Sequence, residues 1–199
     1  MVRKKEQIWR FILDAALSNG KILQFEQQAI AAKLGISTST VFHALKVPRQ
    51  SGAIAVHGRG FVLRDIEKLL TLWASGRNIA RDNVYQTHVD MPVQQIESGL
   101  PGSVIFSAYS AYTFRYHETP ADYDKVVCYA VDAQIIESVK QRFPMTKGSP
   151  NLIILEGDAL LPSFGSHLPV SQLYVDLWNL SDWFAADYLK ALRVQLHII

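Results

Sequence analysis

Between Phe25 and Lys46 the apolar positions recur at helical spacing in two blocks divided by a single glycine. Ala29, Ile30, Lys33 and Leu34 share one side of a helix predicted over residues 26–34, and Gly35 can take the left-handed conformation that ends it at little steric cost. Ile36 is placed to pack into the angle before the next helix, and Ser37 is a good N-cap, its hydroxyl able to accept from the first free amides. A second helix from Thr38 to about Lys46 puts Val41, Ala44 and Leu45 on a buried face. The opposite face carries Ser39, His43 and Lys46, with Thr40 beside them and Phe42 one turn away. Pro48 then stops the helix, and Ile54-Ala-Val56 and Phe61-Val-Leu63 flank His57-Gly-Arg-Gly60 as a hairpin with a basic tip. Helix, tight turn, helix and hairpin in this order read as a winged helix-turn-helix.

That reading gives the exposed face a chemistry. Candidate DNA contacts are Ser37, Thr38, Ser39, Thr40, Phe42, His43 and Lys46 on the second helix and its cap, Arg49 and Gln50 at its base, and Arg59 at the hairpin tip. Short hydroxyls, an imidazole and cations suit phosphates and base edges in a major groove, and a hairpin arginine suits the backbone or minor groove. A helix with this face but no hairpin after it would be an ordinary solvated helix. Phe42 stands where a polar residue is more usual; it reads either as a contact to a thymine methyl or as packing on the second domain.

Farther along, Asp65 to Trp73 has an N-cap and an apolar stripe and predicts a helix ending near Gly76. Val84–Val89, Lys125–Val131 and Leu152–Leu155 read as strands. Ile135, Ile136, Val139 and Phe143 give a helix between the last two, so a crossover with parallel strands is expected. Val170 to Leu196 supplies two amphipathic helices separated near residues 179–182. The whole predicts an α+β (α/β) chain: a winged helix-turn-helix over residues 1–70, then a mixed α/β domain over 71–199.

Charge sharpens this division. Eleven Lys and Arg face five Asp and Glu through Leu70, whereas nine face thirteen beyond it, so a net +2 conceals halves of +6 and −4. DNA affinity draws on neutralised phosphates, which assigns the nucleic acid to the first half. Arg3, Lys4 and Lys5 read as a basic arm or a frayed terminus. No run approaches the ~18 apolar residues of a membrane span, the start Met-Val-Arg-Lys-Lys-Glu reads as lacking the apolar stretch of a signal peptide, and the one cysteine, Cys128, sits in an apolar strand as an inert thiol. A reducing, cytoplasmic setting is expected.

The acids of the second half offer a different function. Asp90, Asp132, Glu156 and Asp158 each follow a predicted strand, where carboxylates gather divalent metals in nucleotide-acting enzymes. Asp132 and Asp90 equally suit helix starts. Gly102-Ser103 with Asp122 and Asp124 resembles elements of nucleotidyltransferases, but these acids alternate with Tyr123 after Thr119-Pro-Ala and read as an exposed loop. We expect no catalytic residues, no metal and no cofactor; a metal-dependent enzyme acting on nucleotides or nucleic acid is the alternative.

Three segments of the second half carry a family resemblance. Gly102-Ser-Val-Ile-Phe-Ser-Ala-Tyr-Ser-Ala-Tyr112 is similar to a glycine followed by a Ser/Ala-rich helix, Lys125–Val131 to the strand after it, and Pro169-Val-Ser-Gln-Leu-Tyr-Val-Asp-Leu177 to a shortened Val-Ser-Pro-Leu-Gln-Leu-Tyr-x-Asp-Leu. Preceded by a winged helix, they resemble the AbiEi-like antitoxins of type IV, abortive-infection toxin-antitoxin systems. The last segment lacks the family's proline after the serine, and Asn179–Trp183 replaces its glycine and arginine-rich continuation. Asp176 is the matching acid, expected as an internal acceptor or cap. The resemblance implies an autorepressor bound to double-stranded operator DNA that antagonises a nucleotidyltransferase-like toxin without a stable complex. An ordinary transcription factor stays open as an alternative. One recognition helix reads few base pairs, so a homodimer or paired half-sites is expected.

Overall fold

The computed structural model describes residues 3–18, 21–58, 60–165 and 167–198. Helices and sheets are mixed, at 52% helix and 15% strand, which is the α+β class that the sequence predicts. There are two compact units. One runs from the N-terminal helix to Arg77 and takes in Val170–Val175; the other comprises Asn78–Pro169 and the chain from Asp176 onward.

The first unit opens with α1 (Lys4–Leu17), followed by β1 (Gln24–Glu26), α2 (Gln27–Leu34), α3 (Thr38–Ala44), α4 (Lys46–Gln50), β2 (Ile54–His57), β3 (Gly60–Leu63) and α5 (Ile66–Gly76). The division drawn from sequence at residue 70 falls inside α5. Ile8, Trp9, Ile12, Leu13 and Ala16 recur on one side of α1 and are all buried, which is what makes this segment a helix. Lys4 and Lys5 are therefore the first turn of a packed helix rather than an arm, and the Lys5 ammonium lies 4.8 Å from the Trp9 ring centroid. Inside the unit Glu6 accepts from Arg77 at 2.8 Å and from the Trp73 indole at 3.3 Å.

Its sheet has the order β1-β3-β2, antiparallel throughout. Phe25 pairs with Phe61, and the two rings stack at 5.4 Å. A Cβ at Gly60 would lie 2.5 Å from the Phe25 carbonyl oxygen, so the third strand closes only against a glycine. β1 was not expected, because three residues leading into a helix carry no period of their own.

In the second unit β4 (Asn83–Thr87), β5 (Ile105–Phe106), β6 (Val126–Ala130) and β7 (Leu152–Glu156) form a sheet of order β4-β7-β6-β5. β6 and β7 are parallel, joined through α8 (Ala133–Arg142), as the strand, helix and strand pattern predicts. Val126, Cys128 and Ala130 share a core with Ile96 of α6 (Val93–Gly99) and with Ile135 and Val139 of α8. Burial pushes the Cys128 thiol up to about 12, so it is neutral and unreactive. α7 (Ala108–Tyr116) packs on β6. The segment that follows α9 (Val170–Asn179) continues as α10 (Ala185–Gln195), which closes an aromatic group of Tyr109, Tyr112, Tyr123, Phe184 and Tyr188.

Asp176 is wholly buried and accepts from the Ser107 hydroxyl at 2.8 Å and the Tyr129 hydroxyl at 2.7 Å. It is the internal acceptor that the resemblance segment leads one to expect. Among the described residues no helix is long and apolar enough to cross a membrane.

Candidate nucleic-acid interface

α2 ends as its sequence predicts: Gly35 takes φ 63° and ψ 35°, and the Ile36 amide donates to the Ala31 carbonyl at 3.0 Å. Ile30 and Ala31 are the buried residues of α2, whereas Ala29 is exposed, so the buried stripe lies one position away from the one read from sequence. Ser37 starts α3 by accepting from the Thr40 amide at 3.1 Å, and its hydroxyl shares a second bond with Thr40 Oγ1 at 2.8 Å. Both hydroxyls are thus already engaged in shaping the helix. Thr38 and Ser39 are exposed beside them.

The inner face of α3 is the predicted one, with Val41, Ala44 and Leu45 at 5% exposure or less. The buried Trp9 indole donates to the Ala44 carbonyl at 2.9 Å, fixing the end of α3 to α1. α3 itself stops at Ala44, shorter than the helix to Lys46 expected from spacing. Leu45, at ψ −4°, turns the chain into α4, where Pro48 occupies the first turn. No intrahelical bond is lost there, because the first amide to bond within α4 is that of Arg49, to the Leu45 carbonyl at 3.0 Å. Pro48 was expected to mark the end of helical structure; instead it begins a second, offset turn.

That offset turn gathers the exposed side chains. Phe42 and His43 of α3 and Lys46, Arg49 and Gln50 of α4 border one surface cavity of about 450 Å³. Leu45, Gln27 of α2 and Val56 of β2 line it too, and no carboxylate does among the described residues. Phe42 is 53% exposed and stands edge-on to the His43 ring at 5.7 Å. Gln27 and Val56 were not read from sequence: β2 is buried only at Ile54, and Val56 points outward at 37% exposure. In the hairpin His57 pairs with Gly60 and is exposed, and Gly58 takes a left-handed φ of 54°. Arg59, the expected tip contact, lies outside the described residues.

The carboxylates weighed for metal chemistry are not assembled in this way. Asp132 caps α8 by accepting from the Ile135 amide at 2.8 Å, and buried Asp158 accepts from the Leu160 amide at 3.0 Å. Asp90 and Glu156 are exposed; Pro92, not Asp90, is the N-cap of α6. Asp122 and Asp124 are exposed as expected, and Tyr123 between them donates to Glu97 at 2.8 Å. No group of three or more His, Cys, Asp or Glu poised to hold a metal occurs among the described residues.

A helix-turn-helix pinned from behind, an offset turn of cations and a three-stranded sheet ending in a hairpin together decide the kind of domain. Residues 6–72 match the Crp-like helix-turn-helix domain. The match takes in α1, which the sequence pattern alone did not attach to the motif, and it stops within α5. It assigns the first unit to DNA binding and transcription regulation, and it does not name the AbiEi-like regulators that the second half resembles. No curated protein and no solved structure matches the chain.

Proposed function

We propose that this chain is a sequence-specific, operator-binding transcriptional regulator of the cytoplasm that represses its own operon, and that it is the antitoxin of a type IV toxin-antitoxin system. The observation that carries DNA binding is the Crp-like domain with Phe42, His43, Lys46, Arg49 and Gln50 gathered around one cavity that, among the described residues, no carboxylate lines. Thr38, Ser39 and the hairpin with Arg59 extend that surface in sequence, and Ser37 and Thr40 support it through the cap. Cations here neutralise phosphates and so set affinity and its salt dependence.

The antitoxin role rests on the resemblance of the second half. It is supported by α7 following Gly102, by β6 following α7, and by the internal bonds of Asp176. On this reading the toxin is a nucleotidyltransferase-like enzyme antagonised without a stable complex, and the chain is itself no enzyme.

Binding of the full chain to a fragment upstream of its own gene, at several salt concentrations, tests the first part. Lys46→Ala and Arg49→Ala should each weaken binding and reduce the salt slope by about one. Parent-like binding by both variants would refute the assignment. For the antitoxin role, a neighbouring nucleotidyltransferase-like reading frame should arrest growth when expressed alone and not when expressed with this chain. Arrest in both cases would leave a regulator that is not an antitoxin. Magnesium-dependent turnover of nucleotides, lost in Asp158→Asn, would favour the enzyme instead.

A further inference from the structure

The cavity at the junction of α3 and α4 is lined by apolar and cationic side chains together, a combination that phosphate binding does not require. Phe42 and Val56 line it while 53% and 37% exposed, and Leu45 lies within it at 4%. Lys46 and Arg49 line it as well, with no carboxylate among the described lining residues. A lone exposed phenylalanine calls for no explanation; one that shares a cavity with two aliphatic side chains and two cations does. The two cations match a polyanion, and an apolar protein partner would gain nothing from them. In the major groove of duplex DNA the projecting apolar group on a base edge is the C5-methyl of thymine.

We infer that this cavity seats the 5-methyl group of one thymine, so that Phe42 and Val56 select thymine at a fixed position while Lys46 and Arg49 hold the flanking phosphates. The inference rests on the DNA-binding reading proposed above and adds to it a base and the residues that read it. The edge-on His43 ring, 5.7 Å from that of Phe42, steadies the wall on which the methyl would rest. Burying one methyl carries about fourfold in affinity, which is the effect to look for.

Duplexes enriched from a random pool by the full chain supply the probe, and each thymine is then replaced singly by deoxyuridine, which removes only the methyl. At one position per half-site the parent should lose about fourfold in affinity, and 5-methylcytosine placed there should bind better than cytosine. Phe42→Ala, exposed and so expected to fold, should bind thymine and deoxyuridine duplexes alike at that position, as should Val56→Ser. Lys46→Ala should weaken all duplexes while keeping the preference for the methyl. If the parent is indifferent to deoxyuridine everywhere, or Phe42→Ala keeps the full preference, this inference fails while the regulator reading stands on the Lys46 and Arg49 variants. Enrichment of no duplex at low salt, whether or not an apolar peptide occupies the cavity, would overturn both.

Discussion

Glu6 ties the two ends of the first unit's helical frame together. Its carboxylate, 8% exposed as a residue, meets the guanidinium of Arg77 and the indole of Trp73, joining the first turn of α1 to the end of α5. Removing one partner of a buried pair leaves the other charge stranded, which costs far more than the pair is worth. Glu6→Ala should therefore lower unfolding free energy by about 3 kcal/mol in urea titrations, and Arg77→Met combined with it should recover a good part. A loss under about 1 kcal/mol for the single variant would show that Arg77 is held by its other neighbours. Trp9→Phe forfeits the bond to the Ala44 carbonyl and leaves part of the indole's volume empty; about 2 kcal/mol of stability should go with the two together. Such bonds span 35 and 71 positions of sequence and follow from no local pattern. By contrast Ser37, Gly35 and the buried trio Val41, Ala44 and Leu45 were legible, because caps and helical faces are set by neighbours three or four residues away.

Among the elements, those with a period of their own were read and those completed by a distant partner were not. α8, β6, β7 and the two C-terminal helices follow from their apolar spacing. β1 and β5, of three and two residues, exist only through pairing with β3 and β6. α4 was obscured by Pro48, which is harmless in a first turn and disruptive farther in. A helix running straight from Thr38 to Lys46 gives Gln27 and Val56 no reason to join the candidate surface; the offset turn of α4 brings them to it. α5 offers a test of local logic. Asp65 accepts from the Lys68 amide at 2.8 Å, and this bond holds its carboxyl below the usual carboxylate range. A carboxyl whose pKa is lowered by folding stabilises the protein above its unfolded value near 4, and that contribution is lost as pH falls through the lower folded value. Asp65→Ala should cost about 1 kcal/mol at neutral pH. Asp65→Asn, which can still accept from Lys68, should cost less and flatten the stability profile between about pH 5 and pH 3, as followed by circular dichroism. An unchanged profile would mean that other carboxylates dominate acid unfolding.

At the scale of the whole molecule, the number of copies bears on how the proposed operator would be bound. A recognition helix of seven residues covers few base pairs, and two copies a helical turn apart are the usual route to useful specificity. The aromatic residues of the C-terminal segment, Trp178, Trp183, Phe184 and Tyr188, are of two kinds. Phe184 and Tyr188, at 4% and 0% exposure, belong to the second unit's interior with Tyr109. Trp178 and Trp183 are 42% and 75% exposed on that unit's surface, and large exposed aromatics of this kind are what subunit contacts are rich in. Our proposal of a homodimer accordingly rests on these two side chains. The full chain should sediment as a dimer and protect paired half-sites, and Trp178→Ser with Trp183→Ser should sediment as a folded monomer. Because each half-site contact then has to form independently, affinity for the paired site should fall by about 100-fold, with affinity for an isolated half-site unchanged. A parent that sediments as a monomer and protects one unpaired half-site, or a double variant that remains dimeric, would remove these tryptophans from the account of assembly.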